Sequence, residues 1–128
     1  MRFSTRAGYG LRAIVNLARI YPYQNSIHQI SKEEGISLKY LEQLFRIMKK
    51  NKIVRSEKGR KGGYRLDKSP SRVKVGEIIE MLEGSIVPMI CAEGKCNSSC
   101  NCSSGAVWIK LQKQIRKTLY SIKLSDLI

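Results

Sequence analysis

Apolar residues recur at helical spacing through Leu11, Ile14, Val15 and Ala18, with Arg12 and Arg19 turned away, and Ser4 stands where a hydroxyl would cap the first turn. The pattern predicts a helix from Ser4 to Ile20. A turn around Pro22 follows, then a short helix from about Ile27 to Glu34, which Gly35 ends as the residue best able to take a left-handed backbone. Ser37 is placed to cap a third helix running to about Lys50, with Leu38, Leu41, Leu44, Phe45 and Met48 facing inward.

Beyond Lys50 the period changes. Ile53 to Ser56 and Gly63 to Leu66 read as two short strands joined through Glu57, Lys58, Gly59, Arg60, Lys61 and Gly62, a hairpin with a basic, glycine-rich tip. Pro70 marks a break, and Val75 to Leu82 predicts another short helix with Ile78, Ile79 and Leu82 on one side. From Glu83 to about Cys102 no periodicity is sustained. A last helix, from about Ser103 to Tyr120, carries Val107, Trp108, Leu111, Ile115 and Leu119 on one stripe and Lys110, Lys113, Arg116 and Lys117 away from it. The expected fold is mainly α with a small β-hairpin wing: a winged helix-turn-helix over residues 1–82, a cysteine-rich sensor loop over 83–102, and a long dimerisation helix with a C-terminal tail over 103–128.

The helix-turn-helix rests on more than one position. Ile30, Ile36, Leu41 and Leu44 bury the joint, Ser31 is small where the two helices approach, and Gly35 permits the turn. Such a unit lays its second helix in the major groove with its N-terminal residues nearest the base edges. Here those are Ser37, Lys39, Tyr40, Glu42, Gln43 and Arg46. Gln43 can pair with adenine, Lys39 or Arg46 with guanine or a phosphate, and Glu42 can accept from cytosine. At the tip of the wing, Lys58, Arg60 and Lys61 are placed for phosphates or the minor groove. His28 is expected on the surface at the groove edge.

Charge supports this partner. The chain carries 24 Lys+Arg against 10 Asp+Glu, a formal +14, and such an excess repels itself unless a polyanion relieves it. Eleven of the basic residues lie between Lys39 and Lys68, against Glu42, Glu57 and Asp67. A membrane surface would call for a basic amphipathic helix with Trp or Phe opposite, and no segment approaches the ~18 apolar residues that span a bilayer. With no apolar signal core near residue 1, the protein is expected to be cytoplasmic. An enzyme would need a nucleophile with its base, or paired carboxylates in a pocket; one histidine and ten scattered acids provide neither.

All four cysteines, Cys91, Cys96, Cys100 and Cys102, fall in the aperiodic segment among Gly, Ser and Asn, small residues that let thiolates converge. Cytosolic thiols are held reduced, so such a group binds metal or senses redox state. Thiolates suit iron-sulfur clusters and zinc, although Cys100-Asn101-Cys102 is tight for a zinc knuckle. Spacing leaves open an iron-sulfur cluster (2Fe-2S or 4Fe-4S), a zinc site, and a metal-free thiol-disulfide switch. A metal or cluster carrier without DNA function would keep the cysteines but has no need of a basic wing. The apolar stripe of the last helix is expected to pair two copies through Trp108, Leu111, Ile115 and Leu119. That would set two recognition helices roughly 34 Å apart to match a palindromic operator in double-stranded DNA.

MRFSTRAGYGLRAIVNLA, ISLKYLEQLF, GRKGGYRL and the closing LSDLI resemble the bacterial Rrf-type winged-helix regulators, whose members include iron-sulfur cluster (IscR-like) and nitric oxide (NsrR-like) sensors. The resemblance covers nearly the whole chain. It implies a homodimer that binds palindromic operators and usually represses, with base or groove contacts from Ser37, Lys39, Tyr40, Glu42, Gln43 and Lys58. It also implies three cluster ligands just before the Trp-bearing helix, which alignment on Trp108 puts at Cys91, Cys96 and Cys102. The first gap is one residue shorter than the commonest pattern, and Gly105 stands where some relatives carry a histidine ligand. Cys100 is an additional candidate for the fourth site.

Overall fold

The computed structural model describes residues 2–59, 62–89 and 103–128. Five helices and one hairpin follow in order: α1 (Thr5–Arg19), α2 (Ile27–Glu34), α3 (Leu38–Lys50), β1 (Val54–Glu57), β2 (Gly63–Leu66), α4 (Val75–Glu83) and α5 (Gly105–Ser121), with 3-10 turns at Pro70–Arg72 and Leu124–Leu127. Three helices start where a serine accepts from the first turn. Ser4, Ser26 and Ser37 take the amides of Ala7, Gln29 and Tyr40, satisfying donors that the helix leaves without a partner. Gly35 ends α2 with φ 65°, the left-handed conformation its lack of a Cβ allows.

The core is built around α1 and α3. Ala13, Ile14 and Leu17 of α1 pack with Ile30, Leu41, Leu44, Phe45 and Met48, and the wing adds Val54 and Leu66. The strands pair antiparallel with Val54 opposite Leu66 and Glu57 opposite Gly63. Arg55 lies opposite Arg65, and each takes a carboxylate on the partner strand's diagonal: Arg55 to Asp67 at 3.2 Å, Arg65 to Glu57 at 2.5 Å. This offsets the like-charge repulsion across the ladder.

The closing residues join the core as well. Lys123 bridges Lys74, with the Val75 amide donating to Ile122 at 2.9 Å and the Leu124 amide to Val73 at 2.8 Å, and Leu124 is fully buried. Nothing in the period of the sequence marks this return, because its partners lie about fifty residues away.

Helices α4 and α5 run antiparallel. The ring of Tyr120 lies over Gly76, where a Cβ would come within 2.2 Å of it, and one turn on Glu80 receives the Tyr120 hydroxyl at 2.9 Å and pairs with Arg116. In this register the first two turns of α5 extend past the end of α4. Ile115 and Leu119, expected between two copies, are partly buried and pack within the chain against a second apolar cluster of Ala7, Val75, Ile79 and Ile86. Trp108 is half-buried, while Val107, Ile109 and Leu111 are exposed at 58%, 40% and 39%. The single stripe read from the sequence thus divides into an inner half spent on this domain and an outer half left open.

Candidate nucleic-acid interface

Helix α3 has one buried and one exposed face. Leu41, Leu44, Phe45 and Met48 are buried, and the interleaved Lys39, Glu42, Gln43 and Arg46 are exposed. Five of the six expected reading residues therefore stand in solvent on one face, Ser37 included. Ser37 accepts the Tyr40 amide at 3.2 Å as the helix cap, and its hydroxyl hydrogen is still able to donate outward. Tyr40 is half-buried, with its ring edge-on to Tyr9 at 5.8 Å between centroids and 83° between planes.

The turn before α3 is held from two sides. Ser31, expected only to be small, also donates its hydroxyl to the Ile36 carbonyl at 2.5 Å. Arg12 reaches from α1 to the Glu34 backbone carbonyl, pairs with the Glu34 carboxylate at 3.5 Å, and lies 5.7 Å from the Tyr9 ring centre. A cation at the last turn of α2 suits the negative end of that helix. Thus α1 fixes both the end of α2 and the base of α3.

A polar network that the sequence reading overlooked sets the wing. Asn16 is 6% exposed and is the one buried polar residue among those described. Its amide donates to Glu34 at 3.1 Å and its carbonyl oxygen accepts from Asn25 at 3.0 Å, while Asn25 also donates to Glu33 at 3.1 Å. The backbone of Asn25 exchanges two hydrogen bonds with Tyr64, each 2.9 Å, so the turn between α1 and α2 adds a short third rung beside β2. The signal was present: Asn16 interrupts the apolar face of α1 between Ala13 and Leu17.

Lys58 is exposed at the end of β1, and Gly59 takes φ 137° before its carbonyl accepts the Gly62 amide at 2.9 Å. Arg60 and Lys61 lie outside the described residues, as do Cys91, Cys96, Cys100 and Cys102. His28 is exposed on α2. No helix among the described residues is long and apolar enough to cross a membrane.

The matching family model, Rrf2, described as an iron-dependent transcriptional regulator, covers residues 3–128. The chain belongs to the Rrf2 family of transcription regulators. It is similar to the HTH-type transcriptional regulator ORF2 of Azotobacter vinelandii, 36% identical over 132 residues, covering all of this chain and 79% of that protein. The IscR regulator of Klebsiella pneumoniae is 34% identical over 135 residues, covering 100% and 80%. Among solved structures, IscR of T. potens superposes with a TM-score of 0.84 at 34% identity over 99% of this chain and 85% of that one. CymR, the global cysteine regulator of B. subtilis, gives 0.85 at 30% over 99% and 95%. Staphylococcus aureus CymR in an oxidised form gives 0.79 at 30% over 99% and 95%. The winged-helix architecture and the DNA-binding regulatory role are thereby those of this Rrf2 protein, and it is not an enzyme.

Proposed function

We propose that this Rrf2 protein is a homodimeric, sequence-specific repressor whose grip on a palindromic operator is set by an iron-sulfur cluster on the cysteines between α4 and α5. Ser37, Lys39, Tyr40, Glu42, Gln43 and Arg46 read the major groove, and Lys58, Arg60 and Lys61 hold the flanking backbone or minor groove. The observation that carries the reading is the exposed polar face of α3 beside a wing pinned to the same hub of α1.

The donor set fits a cluster. Four thiolates occur within twelve residues, and Gly105, where some relatives have histidine, is a buried residue whose added Cβ would meet no described atom within 4 Å, so it offers space but no donor. Cys91, Cys96 and Cys102 would be ligands, with Cys100 the fourth. Such a cluster supplies a tie among these positions that depends on iron and oxidant supply. The residues bordering the segment give that tie a route to the DNA-reading unit. Glu83, the last residue of α4, accepts from both the amide and the hydroxyl of Ser4 at 2.5 Å, and Arg6 donates to the Leu82 carbonyl at 3.5 Å. Through α1 this contact meets Tyr40 by way of Tyr9. Dimerisation falls to the outer turns of α5, where Val107, Ile109 and Leu111 are exposed beside Trp108.

Selection of bound duplexes from a random pool, run in parallel with anaerobically purified and iron-stripped protein, tests the proposal. Visible absorption with iron and acid-labile sulfide assays should accompany it. Two states with equal operator preference and affinity would refute cluster control. The likeness to CymR, one solved form of which is oxidised, favours a second reading in which the thiols switch by disulfide formation without metal. Colourless, metal-free protein whose DNA affinity changes on oxidation would establish that reading, and stoichiometric zinc would replace both.

A further inference from the structure

The trailing end of α3 carries a second cationic group that the reading residues do not include. Lys49, Lys50 and Lys52 are exposed, and none forms an ion pair among the described residues, whereas Arg12, Arg55, Arg65 and Arg116 are each matched to a carboxylate. Two open hollows, of about 570 and 380 Å³, meet at Lys49. The first is shared with Glu42 and Arg46, so the trailing cations continue the reading face; the second leads past Lys52 to Arg55 along the side of the wing.

The backbone at Lys52 is the sharper observation. α3 ends in a paired cap: the Lys52 amide donates to the Lys49 carbonyl at 3.0 Å and the Ile53 amide to the Met48 carbonyl at 3.0 Å. The residue following the cap in this motif takes a left-handed conformation and is ordinarily glycine. Here it is Lys52 with φ 60°, the only non-glycine residue with positive φ among those described. A side chain at such a position is strained, and strain of this kind persists where the side chain has a use. A favourable interaction with the helix dipole is already available to Lys49 and Lys50.

We propose that Lys49, Lys50 and Lys52 form a phosphate-binding cluster for double-stranded DNA, holding the backbone outside the bases contacted by the leading end of α3. The proposal rests on the operator-reading role above and adds a sequence-independent anchor to it. Phosphate contacts fix register without carrying base information.

The full-length protein is titrated against its selected operator at a series of salt concentrations, comparing wild type with Lys49→Gln, Lys50→Gln and Lys52→Asn, the last chosen because asparagine tolerates the left-handed backbone. Each lost contact should lower the magnitude of the log affinity against log salt slope by about 0.9. Base preference should be unchanged at every operator position, and the hydroxyl-radical footprint of the triple variant should be shorter at its outer edges. An unaltered slope in variants that melt like wild type would overturn the proposal, as would a changed base preference. Wild type that binds no duplex at all would instead count against the operator-reading role, which separates the two failures.

Discussion

A Cβ built on Gly63 would stand 2.3 Å from the carbonyl oxygen of Asn25. The wing therefore approaches the α1–α2 turn as closely as two backbones can, and the paired hydrogen bonds between Asn25 and Tyr64 depend on that approach. Gly63→Ala should force them apart. The expected cost is about 1 to 3 kcal/mol, typical of an inserted methyl group in packed surroundings. It should appear in denaturant melts together with weakened DNA binding, since Lys58 moves with the hairpin.

Two glycines of α1 should respond in opposite directions to the same change. An added Cβ at Gly8 meets nothing within 4 Å, so Gly8→Ala should stabilise the protein by about 0.5 to 1 kcal/mol through helix propensity. At Gly10 the same atom would lie 2.3 Å from Leu82 Cδ1, and Gly10→Ala should give a lower melting temperature than Gly8→Ala. Equal melting temperatures would mean that Leu82 swings aside without loss.

The link from Ser4 to Glu83 can be weighed by a double-mutant cycle. Ser4→Ala removes the α1 cap and the hydroxyl half of this contact, leaving the backbone amide on Glu83, and should cost about 0.5 to 2 kcal/mol. Glu83→Gln alone should cost less, and the pair should fall short of additivity by at least about 0.5 kcal/mol if the two side chains act together. Additive losses would remove the Ser4 hydroxyl bond from the route between the cysteine segment and α3, leaving it to the backbone amide.

Gln43 offers a readout of base recognition free of stability effects, because it is exposed on α3. Gln43→Ala should leave the melt unchanged while relaxing preference at one operator position per half-site by about 1 to 3 kcal/mol, the value of a bidentate base contact. Selection against all four bases at each position would reveal it.

The extent of each helix was legible where cap and period agreed. The run from Ile27 closed by Gly35, and Ser37 with the Leu41 to Met48 stripe, marked boundaries for α2 and α3 that the structure reproduces, while the Ser26 cap of α2 came from the structure alone. Strand β1 begins one residue later than the β-branched run implied, since Ile53 is committed to closing the α3 cap. Less visible were features whose partners are distant. The Asn16 and Asn25 network joins three elements, and Leu124 completes a core begun more than a hundred residues earlier. For Ile115 and Leu119 the apolar spacing showed that the side chains need cover, and only packing showed that α1 and α4 provide it.

The alternation along α3 of buried Leu41, Leu44, Phe45 and Met48 with exposed Lys39, Glu42, Gln43 and Arg46 separates two kinds of selection within thirteen residues. Exposed positions are ordinarily neutral to folding within about 0.5 kcal/mol. Mutations there can explore new binding sites while the inward set preserves the scaffold, so a duplicated gene could acquire a different set of targets by a few outward changes, without first passing through an unstable ancestor.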